Sequence, residues 1–290
     1  MTNLQPQVTQ CSDVEAPRAK NGCERNPSQF AQVVRAAQDR TVVLTGGGPL
    51  PWIMVNALAE HIGPVTVLEE DKEPLSTMVR RRAKMLGWTQ TLGQVAFGIW
   101  LKLLHKHSSR RKYEIVATEK LNPQRPRDCL HIKIGNVNSE RCRAELQRLK
   151  PDVVVVIGTR MIKSETLRCV DATFLNYHAG INPKYRGMNG GYWAMANDDS
   201  KNFGITVHLV DDGVDTGKIV AYGAAKPSRK DNFVTFPLVQ AAAGRTVLCN
   251  AVAEALDGKL TTLDLPLSSQ QWFHPTLWGY LWTGLRKGVW

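Results

Sequence analysis

The chain has 290 residues and a formal net charge of +11, with 43% hydrophobic and 22% charged residues. That length can bury a sizeable core, and the balance is that of a soluble globular protein, which excludes a disordered or fibrous chain. Even the apolar run 95–104 is too short to span a bilayer and is interrupted by Lys102, so a cytoplasmic protein is expected.

Residues 1–40 are polar, contain no apolar signal-peptide core and read as a tail ending in a short helix around 29–37. Regular structure begins at Thr41-Val-Val-Leu-Thr45, a strand running into Gly46, Gly47 and Gly48. A helix over 49–61 and a second strand over 64–68 follow. A glycine turn between strand and helix can offer backbone amides to a phosphate. It lacks both the dinucleotide fingerprint and the Lys-Ser/Thr ending of a phosphate loop, so a plain tight turn explains it equally well.

An insertion over about 72–112 collects Arg80, Arg81, Arg82, Lys84, Lys102, Lys106, Arg110, Arg111 and Lys112, interleaved with apolar residues from Met85 to Leu104. The pattern predicts one or two amphipathic helices with a basic face. These either pack on the sheet with a solvated outer side or meet an anionic surface, membrane or nucleic acid. Asn138 or Ser139 can cap an amphipathic helix ending at Leu149, and 152–157 is a Val/Ile run suited to a central parallel strand buried on both faces. Strands and helices alternating in this order predict an α/β fold with a doubly wound, mostly parallel sheet.

A strand over 172–177 puts Asn176 and His178, two residues apart, on one face, and the chain then turns through Gly180, Pro183 and Gly187. A further strand from Gly204 turns at Asp211, Asp212 and Gly213, which are turn formers, and delivers Asp215. An amide, an imidazole and a carboxylate at strand exits suit chemistry on a carbonyl carbon: oxyanion stabilisation and proton movement without metal. Either of the first two residues alone could as well be a structural loop cap; Asp215 in the expected turn favours catalysis. His208, inside its strand, reads as a packed or substrate-side residue and not a second base. A long helix over 231–256 and an aromatic tail, 259–290, close the chain, the tail's aromatics being expected to pack on a core or partner surface. Cysteines 11, 23, 129, 142, 169 and 249 are scattered and read as free thiols, and no metal site is expected.

The Asn176-x-His178 pair, the Pro183-x-x-x-Gly187 loop and Val214-Asp215-Thr216-Gly217 resemble the folate-dependent formyltransferases, the family of glycinamide ribonucleotide transformylase and methionyl-tRNA formyltransferase. The likeness runs over roughly 41–225 and is strongest over 151–220. It implies a Rossmann-like catalytic domain, 41–226, with a C-terminal helix and aromatic tail over 227–290. It also implies 10-formyltetrahydrofolate as formyl donor and a small-molecule primary amine as acceptor.

By this resemblance, Asn176 and His178 stabilise the oxyanion formed from the formyl group, and Asp215 orients them and assists proton transfer. Gly158, Thr159, Arg160, Met161 and Ile162 resemble the loop whose backbone receives the pterin, with Asp211 and Asp212 on the same cofactor side. Gly46, Gly47, Gly48, Gly180, Asn182, Lys184 and Arg186 fall on the acceptor side. Many relatives carry Ser-Leu-Leu-Pro after the His, where this chain has Gly180-Ile-Asn182-Pro183. That departure makes the loop the place to seek the acceptor's identity, and a nucleotide-linked amino sugar is the favoured candidate. The tail is expected to be too short for the β-barrel of methionyl-tRNA formyltransferases. Three alternatives stand beside this reading: a methionyl-tRNA formyltransferase-like enzyme, a formyltetrahydrofolate hydrolase, and a non-catalytic folate- or ligand-binding module.

Overall fold

Val42, Val43 and Leu44 are fully buried on both faces of the first strand, and so are Val153, Val154 and Val155 of its neighbour. Strands this apolar require helices on both sides, and the computed structural model, which describes residues 40–290, supplies them. The strands are β1 (Thr41–Thr45), β2 (Thr66–Glu70), β3 (Leu130–Gly135), β4 (Val153–Ile157), β5 (Thr173–His178), β7 (Gly204–Leu209) and β8 (Ile219–Ala224). They form one sheet in the order β3-β2-β1-β4-β5-β7-β8. The first five are parallel, whereas β7 pairs antiparallel with β5 and β8 antiparallel with β7. The chain leaves β1 for β2 on one side and later returns to β4 on the other. The carboxyl ends of β1 and β4 therefore flank a topological switch point, where open α/β sheets bind ligands.

The helix after β1, α1 (Pro49–Ile62), starts at Gly48 with Pro in its first turn, and it packs over one sheet face. The insertion folds as three helices, α2 (Leu75–Leu86), α3 (Trp88–His107) and α4 (Ser109–Thr118), where one or two were expected. Gly87, at φ 83°, and Ser108 supply the additional breaks. Ser139 caps α5 (Glu140–Leu149) by accepting from the Cys142 amide, as one of the two candidate caps predicted. Two short helices follow, α6 (Ser164–Leu167) and α7 (Gly190–Ala196). The long helix α8 (Phe236–Leu256) starts later than Asp231, whose carboxylate instead binds Arg111 and the Ser228 amide and hydroxyl.

Leu238, Leu248 and Val252 of α8 belong to the same buried cluster as Val43, Val153 and Leu175. The chain ends in α9 (Leu277–Lys287). A two-residue strand, β9 (Gln271–Trp272), pairs with β6 (Arg186–Gly187) and thereby ties the aromatic tail to the loop behind His178. Phe97 of α3, Tyr192 of α7, Phe233 and Tyr280 of α9 share an aromatic cluster. Part of the tail therefore packs inward as expected. Cys129, Cys142, Cys169 and Cys249 are free. Cys11, Cys23 and the expected helix over 29–37 lie outside the described residues. Among the described residues no helix is long and apolar enough to cross a membrane.

Candidate active site

Asn176 and His178 stand near the carboxyl end of β5, where strand alternation gives them one face, and both line a cavity of ≈ 530 Å³. Its other walls include Leu50, Pro51 and Met54 of α1, residues 156–162 at the end of β4 and in the loop after it, and Val210, Asp211, Gly213, Val214 and Asp215 after β7. The cavity thus lies beside the switch point between β1 and β4, and its volume suits a drug-sized ligand.

Asp215 is the hub of this wall. Its Oδ1 accepts from Asn176 Nδ2 at 3.0 Å and lies 3.3 Å from His208 Nε2. Its Oδ2 accepts from the Gly187 amide at 2.8 Å and lies 3.4 Å from His178 Nδ1. Burial pushes the Asp215 carboxyl up. The charge of His178, the hydrogen bond to His208 and the Gly187 amide outweigh burial and hold the carboxyl at about 2. The carboxylate is therefore ionised at any physiological pH. Asp215 adopts the left-handed conformation at φ 51°, which an Asp tolerates better than most residues.

The imidazoles are placed by the acceptors around them. His178 Nε2 lies 2.7 Å from the Tyr185 carbonyl, so this nitrogen donates and Nδ1 is the one facing Asp215. His208 Nδ1 lies 2.7 Å from the Leu209 carbonyl, and its Nε2 faces both Asn176 Nδ2 at 3.0 Å and Asp215 Oδ1 at 3.3 Å, accepting from the amide when the ring is neutral and donating to the carboxylate when it is protonated. Both Asn176 amide hydrogens are thereby engaged, one by Asp215 and one by His208; this network fixes the amide's orientation. His208 is the residue sequence reasoning undervalued. It is buried as a packed residue would be, yet its ring touches the carboxylate at the centre of the site. The available signal was its parity with Thr206 on β7, opposite Asn176.

The residues expected on the cofactor side divide. Gly158, Thr159, Arg160, Met161, Ile162 and Asp211 line the cavity. The Arg160 guanidinium, however, donates to Glu70 at 2.8 Å and to the Asp71 carbonyl at 2.7 Å, while its amide donates to the other Glu70 oxygen at 2.7 Å. Arg160 therefore pins the loop to β2 and offers backbone to the cavity. Asn138 holds the same loop, donating to the Met161 carbonyl and accepting from the Lys163 amide. Asp211 closes its turn by accepting from the Gly213 amide and the Thr216 hydroxyl. Asp212 lies outside the cavity lining, paired with Ser164 and Arg168.

Of the residues expected on the acceptor side, Gly180, Asn182, Lys184 and Arg186 lie outside the cavity lining, and their loop grips the Asp215 turn. Asn182 Nδ2 donates to the Asp215 carbonyl at 3.1 Å, and Arg186 donates to the Val214 carbonyl at 2.7 Å and to Ser269 at 3.0 Å. Lys184 pairs with buried Asp199 at 2.6 Å. Gly180 is packed so closely that a Cβ there would lie 2.6 Å from His178 Nε2 and would also strike the Tyr185 carbonyl. Of the glycine turn, Gly46 abuts the Gly158 carbonyl, and Gly48 begins α1 without a side-chain cap.

The formyl transferase family model matches residues 111–233, which contain Asn176, His178, His208 and Asp215. That stretch belongs to the formyl transferase family. Methionyl-tRNA formyltransferase from Finegoldia magna is 34% identical over 122 residues, 42% of this chain and 38% of that protein. The bifunctional polymyxin resistance protein ArnA from Wigglesworthia glossinidia brevipalpis is 27% identical over 140 residues, 48% of this chain and 21% of its own length. The chain thus spans well under half the length of these curated relatives. Phosphoribosylglycinamide formyltransferase from Anaplasma phagocytophilum superposes with a TM-score of 0.50 at 16% identity, covering 81% of this chain and 99% of that one, so the two share a fold.

Proposed function

We propose that this formyl transferase domain moves the formyl group of 10-formyltetrahydrofolate to a primary amine on a small substrate. The observation that carries the reading is Asp215, held ionised beside His178 Nδ1 on the wall of a ligand-sized cavity. The cavity fits a flat heterocyclic donor: Val156, Ile157 and Met54 supply apolar walls, and the backbone of 158–162 and 211–215 supplies hydrogen-bonding edges. The donor supplies an activated formyl carbon.

The neutral amine attacks that carbon, forming the new C–N bond; the bond to the folate nitrogen then breaks, and the amine's proton ends on the departing nitrogen. In its protonated form His178 Nδ1 donates to the formyl oxygen as negative charge develops there. The Asn176 amide hydrogens, engaged by Asp215 and His208, are those for which the same oxygen would compete. A carboxyl held at about 2 is too weak a base to keep the amine's proton. Asp215 acts instead as a fixed negative charge that stabilises the N–H⁺ formed on attack and guides its proton onward through water.

For the acceptor we put forward a nucleotide-linked amino sugar. The net charge of +11 suits a phosphate-bearing acceptor. The test is incubation with 10-formyltetrahydrofolate and a panel of amino-sugar nucleotides, amino acids, glycinamide ribonucleotide and tRNA, following tetrahydrofolate release and product mass. A formylated amino-sugar nucleotide is expected. Release without a formylated product would assign the hydrolase reaction instead. The 34% identity to a methionyl-tRNA formyltransferase and the basic helices α2–α4 favour one second reading, formylation of a charged tRNA. Salt-sensitive tRNA binding together with a formylated tRNA product would select it.

A further inference from the structure

The outer face of α3 is apolar where a solvated helix should be polar. Trp88, Leu92, Ile99 and Leu103 are each 60–64% exposed. At 3.6 residues per turn these positions fall within about 60° of one another, and Lys106 continues the same stripe. The opposite face of α3, carrying Thr91, Gly93, Gln94 and Phe97, is the buried one. The stripe is therefore surplus to the fold. Beside it, α9 repeats the pattern with Trp278, Trp282 and Leu285, all more than half exposed at helical spacing. The two helices are in contact: a Cβ at Gly93 would strike the Trp278 ring.

Cations frame this apolar surface. From Leu75 to Thr118 nine Lys and Arg face one carboxylate, Glu114, and residues 277–290 add Arg286 and Lys287 with no carboxylate. Some are spent within the fold, Arg81 on Glu73, Arg111 on Asp231 and Lys287 on Asp198. Arg80, Lys84, Lys102, Lys106 and Arg110 are exposed and have no carboxylate partner among the described residues. The Arg286 guanidinium lies 4.3 Å from the Trp282 ring centroid, a charged group resting on an exposed indole.

We infer that α3 and α9 form a docking surface for an anionic phospholipid membrane, lying in the interface plane with the α3 stripe and the exposed tryptophans inserted. The combination selects this partner. Long aliphatic side chains flanked by Lys and Arg, with Trp at the boundary, suit the depth gradient of a lipid headgroup region, where lysine stems lie along apolar surface and their charges meet phosphates. A nucleic acid would satisfy the cations but leave Leu92, Ile99 and Leu103 without an apolar partner. A second copy of the chain would cover the stripe but set unpaired cations against cations. With no helix able to cross a bilayer among the described residues, the association is peripheral.

The experiment is flotation of the full chain with vesicles of phosphatidylcholine alone and of phosphatidylcholine mixed with phosphatidylglycerol, at rising salt. Binding is expected to the anionic vesicles, to weaken with salt, and to be abolished by the triple change Leu92→Ser, Ile99→Ser, Leu103→Ser. Lys102→Glu with Lys106→Glu should weaken it on the order of tenfold or more, while Tyr222→Ser on β8 leaves it unchanged. All substituted positions are exposed, and circular dichroism checks that each variant is folded. Quenching of tryptophan fluorescence by brominated lipid reports insertion independently of flotation. Failure to bind anionic vesicles, or equal binding to neutral ones, would overturn the inference. Concentration-dependent self-association lost in the triple variant would assign the surface to a second copy. Polyanion binding that survives the triple variant would assign it to nucleic acid.

Discussion

Replacing Gly180 by Ala tests whether the loop behind His178 sets the catalytic geometry. The added methyl carbon would lie 2.6 Å from His178 Nε2 and 3.2 Å from the Gly190 Cα, and closer still to the Tyr185 carbonyl, where ordinary contact begins at 3.4 Å. The obstacles are backbone atoms and a buried ring, so none can swing away cheaply. Restoring contact distance requires the ring or the 180–185 loop to move by about 1 Å. That shift costs on the order of 1–3 kcal/mol as overpacking, and it strains the 2.7 Å hydrogen bond between His178 Nε2 and Tyr185 O. A displacement of about 1 Å at the reacting centre lowers turnover by roughly a hundredfold. Urea unfolding measures the first quantity and tetrahydrofolate release with a competent acceptor measures the second. Turnover near that of the unsubstituted chain, in a variant whose stability has fallen, would refute the dependence of His178 on this packing.

Three further outcomes follow from the site and its supports. Arg186→Ala removes the grip on the Val214 carbonyl and should lower turnover about tenfold, with a stability loss of only about 1 kcal/mol; unchanged turnover would show that the Asp215 turn holds itself. The Asp215 carboxyl is held at about 2 against an ordinary 3.8. Its contribution, on the order of 2 kcal/mol, is therefore present above pH 3.8 and lost as pH falls through 2. The stability difference between the unsubstituted chain and Asp215→Asn should shrink across that window, and a constant difference would contradict the network. Burial, and next the charge of Arg82, push His274 down from 6.5 to about 4. Its neutral form therefore stabilises the fold above pH 6.5, an effect lost as pH falls through 4. Unfolding titrations should show a drop of roughly 3 kcal/mol over that range, absent in His274→Gln; an identical slope in the variant would refute it.

The parallel half of the fold was legible because its residues have only one use. The Val153–Ile157 run suits nothing but a strand covered on both faces, and the Asn176-x-His178 spacing has one consequence in a strand. The strand β7 was legible, but its antiparallel direction and the partner strand β8 were not, since strand direction depends on how the chain returns through α7, and residue pattern carries no sign of it. The strand β3 was missed although Leu130, Ile132 and Ile134 alternate with His131 and Lys133, the period-two pattern of a strand at a sheet edge. Asp215 was found by its turn, but the residues that hold it were assigned elsewhere. Asn182 reaches it through its carbonyl, Arg186 holds the Val214 carbonyl just before it, Gly187 reaches it through an amide, and His208 across a strand pair. Such contacts are made by folded geometry, and the same side chains in an extended chain look equally ready to meet a substrate.

The central claim is that formyl transfer depends on the pair formed by His178 and Asp215. Its most direct test is the rate of tetrahydrofolate release from saturating 10-formyltetrahydrofolate, with the best acceptor of the panel, for the unsubstituted chain, His178→Ala and Asp215→Asn, each confirmed folded. The account predicts release by the first and a fall of about a thousandfold or more in both variants. Release by either variant at a rate near that of the unsubstituted chain would contradict it.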